Sequence, residues 1–402
     1  CRYGDILRML GELEASARAF DEAHELATND RQRCRALIGL VAGMRDSSST
    51  DNAAGLLDRA EALAARQGLD GELAEIHGHR GNIAFPSGAY ETCLADHTKS
   101  LHHAKQAGSP ALEARALSGL GDAEYARGRM RSAHGYFADC VALCRDHGFV
   151  RIQTANMALR GLTAFYDGDL EACLRDGAAA VQAAQDAVQP RDELVARTAL
   201  APALVERLDG AGVREQCARA RDLIDRLGAR RFAPECAIFM ARVLKAEGQV
   251  SEAERQAEEA VRASLEDRGG RAFTGPWALG TLAAVTTDPG TREKALAEGE
   301  AVLAEGCVSH NALWFHRDAM SASAAGGDWA SVRRHADALE AYVTAEPLGL
   351  AGFYVRLGRV LADAATGGES AHARVLDELQ RTARTRGYRI AEREIATYPA
   401  PT

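Results

Sequence analysis

The sequence predicts an all-α chain: a helical-repeat superhelix, or α-solenoid, of about ten helix pairs with a period of about 40 residues. Three observations predict it. Of the 402 residues 47% are hydrophobic but only 5% aromatic. Alanine dominates the apolar set, which with leucine, arginine and glutamate suits close-packed helices, and ten prolines with few β-branched runs leave little room for a sheet. The stretch RALSGLGDAEYARGRMRSAHGYFADCVALCRDHGF (115–149) reads as two amphipathic helices and a turn. Its pattern of small residues then recurs along the chain at a constant spacing.

In that stretch the first helix carries Leu117, Leu120, Gly121 and Tyr125 on one face, and Gly128 breaks it. The second carries Ala133, Phe137, Cys140, Val141 and Cys144, again at i, i+3, i+4 spacing. Gly121, Ala133 and Cys140 are small enough for helices to approach closely, and Phe137 fills the space between them. The order L-G, then a helix-breaking G, then A-x3-F resembles the tetratricopeptide pattern. One departure is visible, since the pattern's Tyr position falls on Glu124 and Tyr125 sits one residue late.

Shifting Gly121, Glu124, Gly128, Ala133, Phe137 and Cys140 back by 40 residues lands on Gly81, Ala84, Gly88, Cys93, His97 and Ser100. Shifting forward lands on Gly161, Ala164, Gly168, Cys173, Gly177 and Ala180. Further steps give Ala201, Leu204, Leu208, Val213, Cys217 and Ala220, then Ala241, Leu244, Gly248, Ala253, Ala257 and Ala260. A 40-residue period exceeds the usual tetratricopeptide length of about 34, so the helices are longer by about a turn and a half in total. Upstream, Gly4, Leu7, Gly11, Ser16, Phe20 and Ala23 fit the same template. A looser repeat holds Gly39 and Ala42, the turn RDSSSTDN with Thr50, Asp51 or Asn52 as helix cap, then Ala53, Leu57 and Ala60. Downstream, pairs are expected over 281–302 around TTDPGT, over 313–342 around GGDW, and over 353–365 with 372–387 around TGGES. The whole is read as a single array over 1–395, regular over 71–265 and more divergent over 1–70 and 266–395, with 396–402 as a frayed tail. One pair cannot bury both its faces, so stability comes from stacking.

Little in the sequence points to chemistry. The net charge is −9, with acidic and basic residues alternating along helix faces, which is solvated surface rather than a nucleic-acid-binding stripe. The arginines between Arg214 and Arg231 are interleaved with Glu215, Asp222 and Asp225. Nine scattered cysteines without a CxxC read as reduced core thiols of a cytoplasmic protein. No 18-residue apolar run is present. His134, Cys140, Cys144 and His147 come nearest to a metal site, but one helix rarely supplies a closed zinc shell, so no metal is expected. His97, His102 and His103 show no ligand spacing, and His97 occupies the position of Phe137 one repeat earlier. No Walker loop, GxSxG or HExxH is present, so neither cofactor nor catalytic residue is expected.

The distinctive stretches lie in the last third: Phe273-Thr274-Gly275-Pro276-Trp277 and 309–318, SHNALWFHRD. Ser309 or Asn311 is placed as the N-cap of a helix. The bland reading is a cap whose aromatics seal the core between repeats. The sharper reading is a partner-docking patch of Trp277, His310, Trp314, Phe315 and Arg317, since aromatics with arginine are hot-spot residue types.

The runs RGNIAFPSG (80–88), 116–149, LGARRF (227–232), GPWALG (275–280) and SHNALWFHRDA (309–319) resemble the C-terminal tetratricopeptide region of large bacterial multidomain nucleotide cyclases. In that family a class III adenylate/guanylate cyclase domain and a signalling ATPase with a P-loop precede the repeats. The resemblance spans about residues 1–395 and is most specific in the middle and near the end. The family's catalytic residues have no matching position here, so it implies a non-catalytic sensing or interaction arm. Its partner would be a protein or peptide in the superhelix groove, or upstream domains of its own parent chain. Because Cys1 opens the chain inside a repeat, the sequence is read as a fragment. An alternative is the repeat region of an ATPase-type transcription regulator, which a C-terminal helix-turn-helix would favour and AEREIATYPAPT does not supply. A stand-alone scaffold is the other alternative.

Overall fold

The computed structural model describes residues 1–46, 52–85, 88–266, 268–365 and 371–397. Among the described residues the regular structure is entirely helical. The first pairs are α1 (Arg2–Met9) and α2 (Leu13–Glu25), α3 (Asp30–Asp46) and α4 (Ala53–Gln67), and α5 (Asp70–Ala84) and α6 (Tyr90–Gln106). The middle pairs are α7 (Pro110–Ala126) and α8 (Met130–His147), α9 (Val150–Tyr166) and α10 (Leu170–Asp186), and α11 (Pro190–Glu206) and α12 (Gly210–Leu227). Then come α13 (Ala233–Ala246) and α14 (Val250–Leu265), α15 (Arg268–Val285) and α16 (Pro289–Glu305), α17 (His310–Ala325) and α18 (Trp329–Tyr342), and α19 (Gly349–Ala365) and α20 (Ala371–Arg386). A single helix, α21 (Arg389–Ala396), follows. The fold is a tetratricopeptide-like helical-repeat array of ten pairs.

The 40-residue period is written in the backbone at two turns, not one. Gly88, Gly128, Gly168 and Gly248, expected as helix breakers, end first helices with φ of 78°, 79°, 93° and 80°. Gly68, Gly108, Gly148 and Gly228 end second helices with φ of 61°, 58°, 72° and 64°. Glycine is the residue that takes this left-handed conformation without steric cost. One repeat lacks it at both turns: Val188 and Leu208 occupy the two registers and still hold φ of 51° and 56°. The fold has imposed the turn on residues that resist it.

Within the pairs, two glycines leave room for a ring. A Cβ on Gly121 would lie 2.3 Å from the Phe137 ring, and one on Gly81 would lie 2.5 Å from His97. Between neighbouring pairs, Gly39 makes a like notch for Phe20 at 2.1 Å, and Gly299 for Phe315 at 2.1 Å. Gly161 meets the Cys173 carbonyl at 3.3 Å instead, because Gly177 stands where the two preceding repeats place the rings of His97 and Phe137. Ala133, Cys140 and Ala253 are fully buried. Helix starts are fixed by aspartates: Asp169, Asp209, Asp288 and Asp328 accept from the third backbone N–H of α10, α12, α16 and α18. Each such cap contributes about 1 kcal/mol. Thr50 and Asp51 lie outside the described residues. Asn52 is the N-cap residue of α4, but its side chain makes no capping bond.

Packing divides the chain into two compact units, Cys1–Glu124 with Tyr136–Gln153, and Tyr125–Gly135 with Thr154–Thr402. In the first, Phe20, Leu37, Leu57 and Ile76 form one core, and Ala114, Leu117, Cys140 and Cys144 another. In the second, one large core joins Phe165, Tyr166, Phe239, Trp277 and Trp314 with Phe353, Tyr354 and Tyr388. Two expectations for the last third are corrected. The helix expected from 281 begins at Arg268 and runs through Pro276, and α21 adds a helix beyond the last expected pair.

Candidate functional site

The second unit is built around α17. Its residues His310, Trp314, Arg317 and Asp318 share one face by i, i+4, i+7, i+8 spacing. That face meets the first helices of successive repeats. Ser309, just before α17, donates its backbone N–H to the Ala126 carbonyl at 3.2 Å and its hydroxyl to the Tyr125 carbonyl. His310 Nδ1 lies 3.0 Å from the Tyr125 hydroxyl. Trp314 Nε1 donates to the Tyr166 hydroxyl at 3.1 Å. Arg317 Nη2 pairs with Glu206 at 2.6 Å. Asp318 pairs with Arg242 and accepts from the Thr281 hydroxyl at 3.2 Å. Tyr125, Tyr166, Glu206, Arg242 and Thr281 belong to α7, α9, α11, α13 and α15, at or near the ends of successive repeat intervals.

The interior of this seam is aromatic and cationic. Trp314 stacks on Trp277 (centroids 5.4 Å apart, planes at 13°) and on Phe165 (5.7 Å, 21°). The guanidinium carbons of Arg242 and Arg317 lie 4.4 and 5.1 Å from its ring centre. Arg317 also covers Tyr354 at 3.8 Å, and Tyr354 donates its hydroxyl to Glu206 at 2.6 Å. Burial pulls the Arg317 guanidinium down, but Glu206 and Tyr354 hold it above the ordinary arginine value. Burial lowers Arg242 despite Asp318, and raises the phenols of Tyr166 and Tyr354. Burial also drives His310 down to about 4, so it is a neutral ring at neutral pH.

Pro276 explains the neighbouring motif. Inside α15 it has no N–H to give the Ala272 carbonyl, and its ring disturbs the next bonds. Asn311 fills the break. Its Nδ2 donates to the Ala272 and Phe273 carbonyls at 3.2 and 2.8 Å, and its Oδ1 accepts the Trp277 N–H at 3.2 Å. The Val308 N–H also reaches Ala272, and His310 Nε2 lies 2.6 Å from the Phe273 carbonyl. The expectation for the N-cap is thereby corrected. Ser309 holds the position, but its hydroxyl serves Tyr125 rather than capping α17, and Asn311 is inside the helix repairing α15.

The C-terminal helices add further ties. Glu346, between α18 and α19, accepts from the Arg131 and Ser132 N–H groups at the start of α8. Tyr388 donates to the Gly168 carbonyl at 2.9 Å, and Arg393 to the Ala246 carbonyl at 2.8 Å. None of these partners is visible in sequence, since each lies 147 residues or more from its mate. The only available signal was the density of aromatics and arginine in 309–318.

Of the five residues expected to meet a partner, Trp277, His310, Trp314 and Arg317 are brought together inside the unit, while the Phe315 ring packs on Gly299 of α16 and His335 of α18. Trp277, His310, Trp314, Phe315 and Arg317 are between 0 and 7% exposed. Their rings and guanidinium are used on the chain itself. Of the metal candidates, Cys140 donates its thiol to the Ala114 carbonyl at 3.2 Å and lies 4.0 Å from Cys144, and burial raises both thiols. His134 Nδ1 lies 3.1 Å from the Arg160 carbonyl. His97 is a buried ring held down to about 4 by burial, while His103 lies 2.8 Å from Asp70. Among the described residues no three His, Cys, Asp or Glu side chains are grouped as metal ligands, and no helix is long and apolar enough to cross a membrane.

No protein-family model matches the chain, and no curated protein does. Solved structures do match in fold. A Rap protein complexed with Competence and Sporulation Factor aligns with a TM-score of 0.60 at 11% identity, over 85% of this chain and 99% of that one. Aspartyl phosphate phosphatase F from Bacillus subtilis aligns with a TM-score of 0.51 at 10% identity, over 89% and 91%. At such identities the likeness is one of fold, and the chain shares with them a tetratricopeptide-like helical-repeat architecture.

Proposed function

We propose that the chain is a protein-interaction and regulatory scaffold without catalysis of its own, the C-terminal sensing arm of a nucleotide cyclase/ATPase signalling protein. The observation that carries this reading is the bonding of one helix region, Trp314 to Asp318, to α9, α11, α13 and α15 within the second unit. In a plain repeat array each repeat feels only its neighbours. Here the seam ties residues up to 148 positions apart, so a shift at any of these four helices reaches the others. That is what an arm needs to report a binding event to a module joined to it. The Rap structure, solved as a complex with Competence and Sporulation Factor, supports a binding role for this fold. The partner is a protein, a peptide or an upstream domain of the parent chain, met in the cytoplasm. A net charge of −9 weighs against nucleic acid. Docking on Trp277, His310, Trp314, Phe315 and Arg317 belongs to a form in which α17 has moved, and the scarcity of that form would lower the apparent affinity.

The test begins with the source DNA read in frame upstream of the Cys1 codon. A P-loop ATPase preceded by a class III cyclase domain is expected. Cyclase and ATPase rates of that parent, compared between wild type and Asn311→Ala, should differ several-fold. A start codon a few residues upstream, or rates indifferent to the loosened seam, would remove the sensing-arm reading.

A further inference from the structure

A cavity of about 260 Å³ lies between α17, α18, α19 and α21 in the second unit. Its walls are apolar: Met320 and Ala324 from α17, Trp329 and Val332 from α18, and Leu357 and Leu361 from α19. The buried Tyr354 stands at its inner end, and the exposed Ala325 and Thr397 at its mouth. The polar side chains beside it already have partners. Tyr354 and Arg317 hold Glu206, the Ser321 hydroxyl donates to Glu394 at 3.2 Å, and the Thr397 hydroxyl donates to the Glu394 carbonyl at 2.9 Å. The contact left for a ligand is apolar.

Met320 lies over Gly358, where a Cβ would come within 2.7 Å of its sulfur, and this unbranched side chain re-packs easily around a guest. A cavity of about 150 Å³ with an apolar lining holds benzene, so this one admits about ten heavy atoms. Among side chains only tryptophan is that large, so a free molecule fills the space better than a residue of a partner. An anion is disfavoured, because Glu394 stands on one wall and the Arg317 guanidinium is held by Glu206. We propose that this cavity binds a free, uncharged aryl or alkyl molecule of about ten heavy atoms, held by apolar contact with Met320, Trp329, Leu357 and Leu361. The site is independent of the partner-binding reading, although Tyr354 joins its inner end to the Glu206 pair.

The experiment is calorimetric titration of the full chain with benzene, indole, 1-octanol and octanoate, with tryptophan emission followed for the alcohol. Indole or 1-octanol should bind at least about tenfold more tightly than benzene, since each buries more apolar surface. Octanoate should bind about tenfold more weakly than 1-octanol, because its charge meets no partner. The emission should change through Trp329, since Trp277 and Trp314 are buried against each other and Trp329 alone of the three stands on the wall. Ala324→Leu, which narrows the cavity without touching its polar groups, should weaken binding about tenfold or more while the protein still melts cooperatively. No heat with indole or 1-octanol at millimolar concentration would overturn the proposal. So would equal affinity for octanoate, affinity unchanged by Ala324→Leu, or an emission change that persists in Trp329→Phe.

Discussion

Arg317 of α17 lies 2.6 Å from Glu206 of α11, in a pair where Glu206 is wholly buried and Arg317 nearly so. The pair is closed by Tyr354, which donates to Glu206 and lies beneath the guanidinium. Removing one partner of such a pair strands a buried charge, whereas removing both does not. Arg317→Met should therefore cost about 3–5 kcal/mol in urea denaturation. The double variant Arg317→Met with Glu206→Gln should recover a large part of that loss. Equal loss in the single and double variants would mean the pair is not coupled.

Asn311 and Pro276 form a second coupled pair, 35 positions apart in the chain. Asn311→Ala removes the partner of the Trp277 N–H, at about 1–3 kcal/mol for the buried group left unmade, and leaves the Ala272 carbonyl to the Val308 N–H and the Phe273 carbonyl to His310. Pro276→Ala returns an N–H to α15 and lets the helix satisfy itself. Its effect should be more favourable in the Asn311→Ala background than in wild type. A double-mutant cycle read by thermal or urea unfolding measures this directly, and additivity would contradict the assignment.

Val188 and Leu208 hold a conformation that Gly68, Gly108 and Gly148, and Gly88, Gly128 and Gly168, take at the same two turns of earlier repeats. Val188→Gly and Leu208→Gly should each stabilise the protein by about 0.5–1 kcal/mol, with the β-branched Val188 giving the larger gain. Val188 is highly exposed, so its replacement loses almost no packing. A fall in urea midpoint for Val188→Gly would show that the turn is not strained.

The buried histidines make stability depend on pH. His97, His310 and His316 are held down to about 4, and His335 to about 3, chiefly by burial. An unfolded histidine titrates near 6.5, so below that pH the unfolded chain takes up protons that the folded chain refuses. Their contribution is complete above about pH 6.5 and is lost as pH falls toward 4. Glu235 works the other way. Burial raises it to about 7, so the fold is favoured while it is protonated and loses that contribution as pH rises from about 4.5 toward 7. Burial raises Glu75 and Glu394 as well, but the four histidines outweigh the three glutamates, and the melting temperature should fall between about pH 6.5 and 4.5. His97 Nδ1 has no hydrogen-bond partner, and its ring lies against Gly81 and Gly119 much as Phe137 lies against Gly121. His97→Phe should gain about 1 kcal/mol at pH 7 and more at pH 5, giving a flatter pH profile. A profile parallel to wild type would remove His97 from the account.

The parts of this fold legible in sequence were those governed by local rules. Gly121 beside Phe137, the Gly88 to Gly248 turns and the apolar stripes repeat every 40 residues, so each repeat reports on the next. The second series of glycines, Gly68 to Gly228, was equally legible and carries the same information. The seam around α17 was not legible. Glu206 and Arg242 look like any charged residues on a helix surface, and only the packing of α11 and α13 beside α17 brings them to Arg317 and Asp318. The aromatics of 309–318 drew attention, but Trp314 and Arg317 suit a buried stack as well as a docking patch, and composition does not separate the two. Pro276 concealed the helix that Asn311 repairs.

The central claim is that α17 binds the repeats of the second unit into one cooperative body. Native-state hydrogen exchange along α9, α11, α13, α15 and α17 tests it most directly. The account predicts that their slowest amides share one opening free energy, and that Asn311→Ala lowers it in all five together. Opening energies graded from helix to helix, with α9 and α11 indifferent to Asn311→Ala, would show a linear array in which α17 is merely one more helix.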